Sequence, residues 1–519
     1  MFSLSLIARC CVAVLAFASS CHAVPSDPSF AFAPLSIRQG QAVDAAIASL
    51  RAVIPTRILA VRGTALYDER NDSYLAAQVS EVKPVLIFLP TSKEQVALFI
   101  KIIKPFAVVG IVRFAIRGAG QMPLPTAANI QDGITLDLVN LKGISLDTCS
   151  VTVAAGEIWG NVYSKLEGTG YGVGGSRSGL GGIGGLATQG GLSFFSSREG
   201  LIADNVLNYE IVLASGEIVN ANAKQNSDLW VSLKGGNNNF GVITSFTLRT
   251  FKQSPFWGGS IYYFSDSFPG QIDALVGEIK KPNPSPETQL MISIGYSSQL
   301  GGILCQNQLY YTQNVTSNPP VLKPFTDISP QIDSLNSMRP LTLKSAASEQ
   351  AADARNQLRT LYMNTMIKAD AATLKAASTY YTTAISTITS VTDLLGSLTL
   401  QPYPLSLLNQ QAPNGGNVLG LDPSSGPLVS ILLLTYWSNP ADDALVYTTM
   451  KSVLDKINAD ATARKTLVPF KFMNYATKSD DVISSYGATN KAKLQKASKK
   501  YDPQGLFQTG VPGGFKLFK

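Results

Sequence analysis

The sequence predicts an α+β protein with more than one domain. Three observations lead to this prediction. The chain has 519 residues, 45% of them apolar and 15% charged, and this is too long for one ordinary hydrophobic core. From about residue 84 to residue 251, short β-branched runs alternate with helical stretches and glycine clusters. Glycine becomes scarcer beyond residue 251, which indicates that a second domain begins there.

The first elements have clear signals. Residues 85–89 are an apolar run that predicts a strand, and Ser92 is a suitable N-cap for the helix that follows. The apolar positions of that helix recur at intervals of three and four, so one face should be buried; they are Val96, Phe99, Ile100 and Ile103. Residues 108–116 predict another strand, which the following glycines end.

Later segments continue the mixed pattern. A helix should open at Trp159, and residues 345–399, rich in Ala, Ser and Thr, predict a long helical stretch. Residues 494–500 have helical spacing near the end of the chain, where the tail should fold back on the rest of the protein. Alternation predicts strands at 134–138, 150–153, 242–246 and 289–294.

The first 23 residues are typical of a secretory signal peptide. Arg9 precedes a nearly apolar run, and small residues allow cleavage after Ala18 or Ala23. The alternative, an uncleaved anchor, needs about 20 apolar residues, more than this run contains. In a secreted chain, Asn71 and Asn314 are predicted glycan acceptors because each begins an Asn-X-Ser/Thr sequon.

Charge and cysteine content narrow the function classes. The net charge of +7 is spread along the chain without a basic run, so neither a nucleic-acid stripe nor a juxtamembrane patch is indicated. We expect small-molecule partners, with no nucleic acid and no membrane. Cys149 and Cys305 are the cysteines beyond the leader, and either a disulfide or two unpaired thiols fits the sequence.

The densest motif lies at residues 172–191, which read GVGGSRSGLGGIGGLATQGG. Backbone without Cβ atoms lets a ligand such as a pyrophosphate or a flavin ring lie directly on main-chain N–H groups. A flexible linker is the alternative, but linkers rarely keep regularly spaced leucine and isoleucine between their glycines. Neither a Walker P-loop nor a GxGxxG fingerprint matches this run well.

Two further glycine clusters flank predicted strands. Residues 117–121 read RGAGQ directly after a strand, and residues 234–241 read KGGNNNFG directly before one. Each cluster by itself is consistent with an ordinary turn. Three such clusters within about 130 residues favour a shared ligand-binding role.

These motifs in this order resemble the berberine-bridge-enzyme-like FAD-linked oxidoreductases of the vanillyl-alcohol-oxidase superfamily, in particular their fungal secreted and secondary-metabolite branch. The resemblance covers about residues 80–515. Its motifs are RGAGQM, GGIGGLATQGGLSFFSSREGLIADNVLNYEIVLASGEIV, NSDLWVSLKGGNNNFGVITSFTLRTF and SYGATNKAKLQKASKKYDPQGLFQTGVPGGF.

The resemblance implies a bipartite FAD-binding domain of the PCMH type with an inserted substrate domain. Residues 24–79 are then an N-terminal segment, 80–251 the FAD-binding domain, 252–467 a substrate domain of antiparallel sheet and helices, and 468–519 a segment that completes the FAD domain. It also implies a set of cofactor-binding residues: Arg117, Gly118, Ala119, Gly120, Gln121, Met122, Gly182, Gly184, Gly185, Gly190, Gly191, Asp204, Asn205, Ile218, Val219 and Asn474.

The sequence departs from the family at the usual attachment points of the flavin. Members commonly tether FAD through a histidine and sometimes a cysteine, but Gln121 and about Ser178 stand at these positions. Neither side chain forms such a link, so the resemblance implies non-covalent FAD. The single histidine, His22, lies at the edge of the leader, and any general base must therefore be Tyr, Asp, Glu or Lys.

The family position of Tyr475 makes it the candidate base, the alternative being a packed core tyrosine. The resemblance predicts oxidation of a small organic substrate, a secondary-metabolite intermediate, by hydride transfer to FAD with dioxygen as acceptor. Three alternatives stay open at this point: a carbohydrate or alcohol oxidase, a non-redox isomerase or cyclase on the same fold, and a binding protein without FAD.

Overall fold

A computed structural model describes residues 36–352 and 357–518. The strands are β1 (Leu59–Val61), β2 (Leu86–Phe88), β3 (Phe114–Arg117), β4 (Ile134–Asp137), β5 (Ile144–Leu146), β6 (Ser150–Ala154), β7 (Tyr171–Val173), β8 (Val206–Val212), β9 (Ile218–Asn222), β10 (Val242–Lys252), β11 (Phe256–Phe264), β12 (Thr288–Ser297), β13 (Gly302–Tyr311), β14 (Arg339–Leu341), β15 (Arg359–Lys368), β16 (Leu395–Tyr403), β17 (Leu428–Trp437) and β18 (Leu467–Val468).

The helices complete the architecture, together with short 3₁₀ turns. They are α1 (Ile37–Arg51), α2 (Ala65–Asn71), α3 (Ala77–Ser80), α4 (Lys93–Ala107), α5 (Trp159–Leu166), α6 (Ile183–Gln189), α7 (Ser196–Glu199), α8 (Ser227–Gly236), α9 (Phe268–Ile279), α10 (Lys323–Thr326), α11 (Leu343–Ala352), α12 (Ala371–Ile385), α13 (Leu405–Leu408), α14 (Asp443–Ala463), α15 (Val482–Ser485) and α16 (Ala488–Tyr501).

Two sheets come from the N-terminal half of the chain. The first has the order β1-β2-β4-β3, with parallel pairing except at β1. The second has six strands in the order β5-β6-β10-β8-β9, with β7 on the far end of β10, and all its pairs are antiparallel. Helix α4 begins after Ser92, whose side chain accepts from the Gln95 N–H, and its predicted apolar face is buried.

The third sheet is antiparallel throughout and has eight strands in the order β14-β11-β13-β12-β16-β17-β15-β18. Helices α9, α12 and α14 cover one face, where Ile292, Leu400 and Ile431 belong to their apolar core. Alternation along the strands turns neighbours such as Met291 and Gln401 to the opposite face. One face of this sheet therefore packs into a hydrophobic core, and the other face is available to line a ligand-binding site.

The predicted α+β class, with an antiparallel sheet and helices inserted into the chain, is confirmed. The strand predicted at 108–116 is shorter than expected, because the chain turns at Gly110, with a φ of 70°, before β3 begins at Phe114. The predicted domain boundaries stay a prediction.

The long helical stretch predicted at residues 345–399 is wrong. It contains α12 and most of α11, but also β15 and the first part of β16. Both strands lie inside the eight-stranded sheet, where cross-strand pairing with β17 decides their conformation. Composition favoured helix over the whole stretch, whereas the period-two alternation within each strand was the better signal.

The tail folds back as expected. Helix α16 packs on α8. The fully buried Asn239 holds the residues that follow α16. Its Nδ2 donates to the carbonyl oxygens of Gly236 and Phe515 at 2.8 and 2.9 Å, and its Oδ1 accepts from Gln508 Nε2 at 3.0 Å. One amide thus joins the third glycine cluster to the C-terminal segment.

The structure tests some of the predictions about secretion, glycosylation and cysteine pairing, but not all of them. The predicted signal peptide lies outside the described residues. Asn71 is fully buried, and its Nδ2 donates to the Ser80 carbonyl at 2.6 Å, so this fold leaves no space for a glycan there. Asn314 is exposed and stays a predicted acceptor.

Cys149 is exposed and Cys305 buried, and both thiols are free. Among the described helices, none combines the length and apolarity needed to cross a membrane.

We expect Asn239→Ala to destabilise the protein by about 3 kcal/mol, because two buried carbonyl oxygens lose their donor. The melting temperature should fall accordingly. Asn220→Ala removes an exposed amide and should change stability by less than about 0.5 kcal/mol. Equal melting temperatures for the two variants would show that Asn239 does not hold the tail.

Candidate active site

A cavity of about 410 Å³ lies between the glycine-rich turns and the polar face of the eight-stranded sheet. This volume falls in the range of small-molecule sites. Glycine backbone forms one wall, and Met291 and Tyr362 come from the sheet opposite. All three glycine clusters contribute, so the structure brings together segments that are about 130 residues apart in sequence.

The first cluster is the turn that follows β3. Gly118, Ala119, Gly120, Gln121 and Met122 all line the cavity. The main-chain N–H groups of Gly118, Ala119 and Gln121 donate to no other described residue. Gly120 has a φ of 69°, and a Cβ there would lie 2.7 Å from the Tyr74 ring. The turn therefore needs glycine at this position and presents free donors to the cavity.

Arg117 lies behind this turn and does not line the cavity. Its guanidinium is buried, 3.4 Å from the Asp137 carboxylate, and lies over the Tyr74 ring at 3.7 Å. It also donates to the Arg70 carbonyl and to Ser73 Oγ. These contacts fix the end of β3, so Arg117 supports the turn from within the protein.

The second cluster provides the wall next to this turn. Gly182, Gly184 and Gly185 line the cavity at the start of α6. A Cβ on Gly182 would lie 2.6 Å from that of Ala119, so the first two clusters are in direct contact. Gly190 and Gly191 do not line the cavity; they have φ values of 111° and 69° and form the turn after α6.

The C-terminal tail closes over this second cluster. Residues Met473–Tyr475 form a single 3₁₀ turn. Asn474 Oδ1 accepts from the Gly191 N–H at 3.2 Å, and its Nδ2 donates to Gln189 Oε1 at 3.0 Å. This pair of bonds places both Asn474 and Tyr475 in the cavity lining.

The third cluster contributes Asn237 and Asn238 to the lining. Asn237 has a φ of 50° and a ψ of −139°, a combination that residues with a side chain rarely adopt. Thr188 Oγ1 donates to its Oδ1 at 3.3 Å. The third cluster is thus joined to α6 at the edge of the cavity.

Tyr475 belongs to a polar group built from three parts of the chain. Its Oη accepts from Arg177 Nη2 at 3.1 Å, and Arg177 Nη2 also donates to Gln401 Oε1 at 2.7 Å. Arg177 lies in the glycine-rich run, and Gln401 lies on β16. The ring of Tyr475 packs edge-on against Phe472, with centroids 5.0 Å apart, so its position is fixed.

Few titratable groups line the cavity. In the described part of the chain they are Arg177, Tyr362 and Tyr475, without any Asp, Glu, Lys or His. Burial raises the pKa of Tyr362 well above its ordinary value, with further contributions from Tyr436 and Tyr475. Tyr362 therefore stays a protonated phenol, and Tyr475 remains the candidate base that the sequence predicted.

Besides Arg117, Gly190 and Gly191, four more predicted cofactor residues lie away from the lining. Asp204 is buried; it accepts from the Leu201 N–H at 3.0 Å and from Asn417 Nδ2 at 2.8 Å, and burial raises its pKa. Asn205 holds the same turn by donating to the Leu201 carbonyl at 2.9 Å. Ile218 and Val219 lie on β9 at the edge of the second sheet. Their role in cofactor binding stays a prediction.

Sequence reasoning missed Arg177, Gln401 and Tyr362. Arg177 had a signal, since it is the one charged residue within the glycine-rich run at 172–191. The other two had none, because a polar residue on a strand is common, and only sheet pairing shows which face it occupies.

Residues 84–222 match the family model described as an FAD binding domain. The chain is 32% identical over 460 residues to the FAD-dependent monooxygenase FUP4 of Fusarium proliferatum, covering 86% of this chain and 88% of that protein. It is also 32% identical over 475 residues to the oligopeptidase PhomG' of Diaporthe leptostromiformis, and there it spans 90% of this chain but only 37% of that protein.

A solved structure supports the same fold. The structure described as BBE-like 1 of Physcomitrella patens is 20% identical, with a TM-score of 0.70, over 86% of this chain and 95% of that one. The resemblance predicted from the glycine motifs is thereby confirmed. The chain belongs to the family of FAD-linked oxidoreductases that includes the fungal FAD-dependent monooxygenase FUP4, and its fold is that of the berberine-bridge-enzyme-like structure.

Proposed function

We propose that this protein oxidises a small organic substrate by hydride transfer to a non-covalently bound FAD, with dioxygen as electron acceptor. The observation that carries the proposal is the cavity itself, in which a glycine backbone wall faces the polar group of Tyr475, Arg177 and Gln401. Fungal relatives named as FAD-dependent monooxygenases support oxidation with FAD. The substrate that we propose is a secondary-metabolite intermediate, as the sequence resemblance implies.

The glycine wall fits a flavin cofactor. A Cβ built on Gly118 or Gly185 meets no atom within 4 Å, and one on Gly184 meets only Phe246, at 3.8 Å. The space that side chains would fill is therefore open beside main-chain donors, as a diphosphate and a flat ring require. FAD bound there would accept the hydride, and the residues of the two glycine clusters would hold it.

Gln121 and Ser178, which stand where the sequence resemblance implies the attachment residues, both line the cavity. An amide and a hydroxyl do not form the family's covalent link to the flavin. This is the basis for proposing that the FAD is held by non-covalent contacts alone.

Tyr475 is the proposed general base. Its Oη is in the cavity, and the guanidinium that donates to it stabilises negative charge on the oxygen. Arg177, held in turn by Gln401, keeps the oxygen at one position. A proton leaving the substrate would thus be received at Tyr475 Oη, which general acid–base catalysis requires within hydrogen-bond reach.

The apolar leader at residues 10–18 and the exposed sequon at Asn314 support secretion or entry into the endomembrane lumen as the proposed location.

We expect Gly185→Leu to lower the affinity for FAD by tenfold or more, about 1.4 kcal/mol, because the new side chain projects into the cofactor space. The ratio of flavin to protein absorbance after purification measures this. Gly277→Leu is the matched control, since Gly277 also lies in a helix with no atom within 4 Å of a built Cβ. Equal flavin content in both variants would argue against flavin at this wall.

Tyr475→Phe should slow anaerobic flavin reduction by about a hundredfold to ten-thousandfold, the usual contribution of a general base. A panel of small alcohols, amines and phenols, screened by bleaching of the flavin, supplies the substrate. Tyr447→Phe on α14, away from the cavity, is the control. An unchanged reduction rate in Tyr475→Phe would exclude this residue as base. Flavin that binds but is reduced by no physiological substrate would favour the isomerase or cyclase alternative.

Acid precipitation should release the yellow flavin into the supernatant, since neither Gln121 nor Ser178 tethers it. The absorbance of supernatant and redissolved pellet measures the partition. Flavin that stays with the pellet would contradict the non-covalent proposal.

A further inference from the structure

Arg177 differs from the other arginines that are removed from solvent. Each of the other buried or half-buried arginines in the described ranges has a carboxylate oxygen within 3.4 Å of its guanidinium; they are Arg70, Arg117, Arg198, Arg249 and Arg359. Arg177 is half-buried, and among the described residues no carboxylate lies within 4.0 Å of it. A cation withdrawn from water without a counter-charge is unfavourable.

The neutral contacts of Arg177 occupy only part of its donor set. Nη2 donates to Gln401 and Tyr475, and Nη1 contacts Met291 Sδ at 3.4 Å. A guanidinium carries five N–H groups. The Nε–H and one Nη1–H therefore have no acceptor among the described residues, and Nε is not sealed off by protein atoms.

The positive charge of Arg177 is isolated and fixed in position within the cavity. Arg177 is the one charged residue among the described residues that line the cavity. Contacts from β12, β16 and the tail hold its side chain, so little conformational entropy is lost when a ligand binds. A fixed cation that is partly removed from water attracts an anion more strongly than the same cation does in water.

We propose that Arg177 is a substrate-binding residue that pairs with an anionic oxygen of the substrate, carried by a carboxylate or by an ionised phenol or enol. This inference rests on the proposed function, because it takes the cavity as the substrate site. The anion would approach Nε and the remaining Nη1–H, while Nη2 keeps its bonds to Gln401 and Tyr475. The oxidised carbon would thereby be placed beside Tyr475 Oη.

Calorimetric titration of the full-length mature protein tests the proposal with two pairs of probes. Benzoate is compared with benzamide, and 4-nitrophenolate with 4-nitroanisole, at a pH where the phenol is ionised. We expect at least one anion to bind and its neutral counterpart to bind at least tenfold more weakly. Binding of benzoate alone would assign a carboxylate, and binding of 4-nitrophenolate alone an ionised phenol or enol.

The Arg177→Gln variant should weaken anion binding about tenfold to a hundredfold, as expected for loss of a hydrogen bond to a charged group, and leave the neutral probe unchanged. Arg113→Gln removes the same charge from an exposed position and should bind as the unmodified protein does. If Arg177→Gln does not fold, Arg177→Lys serves instead, because it keeps the charge but loses the bonds to Gln401 and Tyr475, and its anion affinity should fall severalfold.

Three results would overturn the proposal. They are absence of binding by both anions, equal loss of anion and neutral binding in the variant, and unchanged anion binding in the variant. The visible spectrum of the same samples reports flavin separately. A colourless protein that still binds the anion through Arg177 would refute the proposed oxidation with FAD but support the anion site. A yellow protein that binds no anion would refute the anion site but leave the proposed oxidation standing.

Discussion

The structure depends on the close approach of two chain segments that have no side chains between them. Ala119 in the turn after β3 lies against Gly182 at the start of α6, where a Cβ on the glycine would be only 2.6 Å from the alanine Cβ. Because the backbones approach so closely, their N–H groups can face one cavity from two directions. The same glycines that let the chain pack also form the wall that a cofactor would contact.

The tail and the eight-stranded sheet complete this arrangement. Asn474 joins the tail to the turn after α6 by accepting from the Gly191 N–H. Asn239 holds the end of the chain by donating to the Phe515 carbonyl oxygen. The eight-stranded sheet uses its two faces differently: one packs on α9, α12 and α14, and the other presents Met291, Tyr362 and Gln401 towards the cavity. A single sheet thus provides both the hydrophobic core and the substrate side of the site.

Arg177 is the one charged side chain among the described residues that line the cavity. The buried ion pairs of the protein, such as Arg117 with Asp137, lie behind the cavity wall and support its shape. Inside the cavity, Arg177 has no carboxylate within 4.0 Å among the described residues, and it contacts Tyr475 and Gln401. Among the described residues that line the cavity, the titratable groups are therefore two phenols and one guanidinium.

Much of this protein was readable from its sequence. The glycine clusters predicted close backbone approach, their order predicted the family and FAD, and the spacing of Val96, Phe99, Ile100 and Ile103 predicted the buried face of α4. These features are local, since they depend on glycine conformation and on short-range periodicity. The same local reasoning failed at residues 345–399, because pairing with β17 overrides a helix-favouring composition.

By itself the sequence determined where the chain lacks side chains, which helices bury a face, and that no histidine is available within the described residues for catalysis. Only the tertiary structure decided that Asn71 is buried, that Asp204 and Asn205 shape a turn away from the cavity lining, and that Arg177 meets Tyr475. The physical reason is separation along the chain. Arg177 and Tyr475 are 298 residues apart, and only the folding of the tail over the glycine-rich run brings a guanidinium to within 3.1 Å of a phenol oxygen.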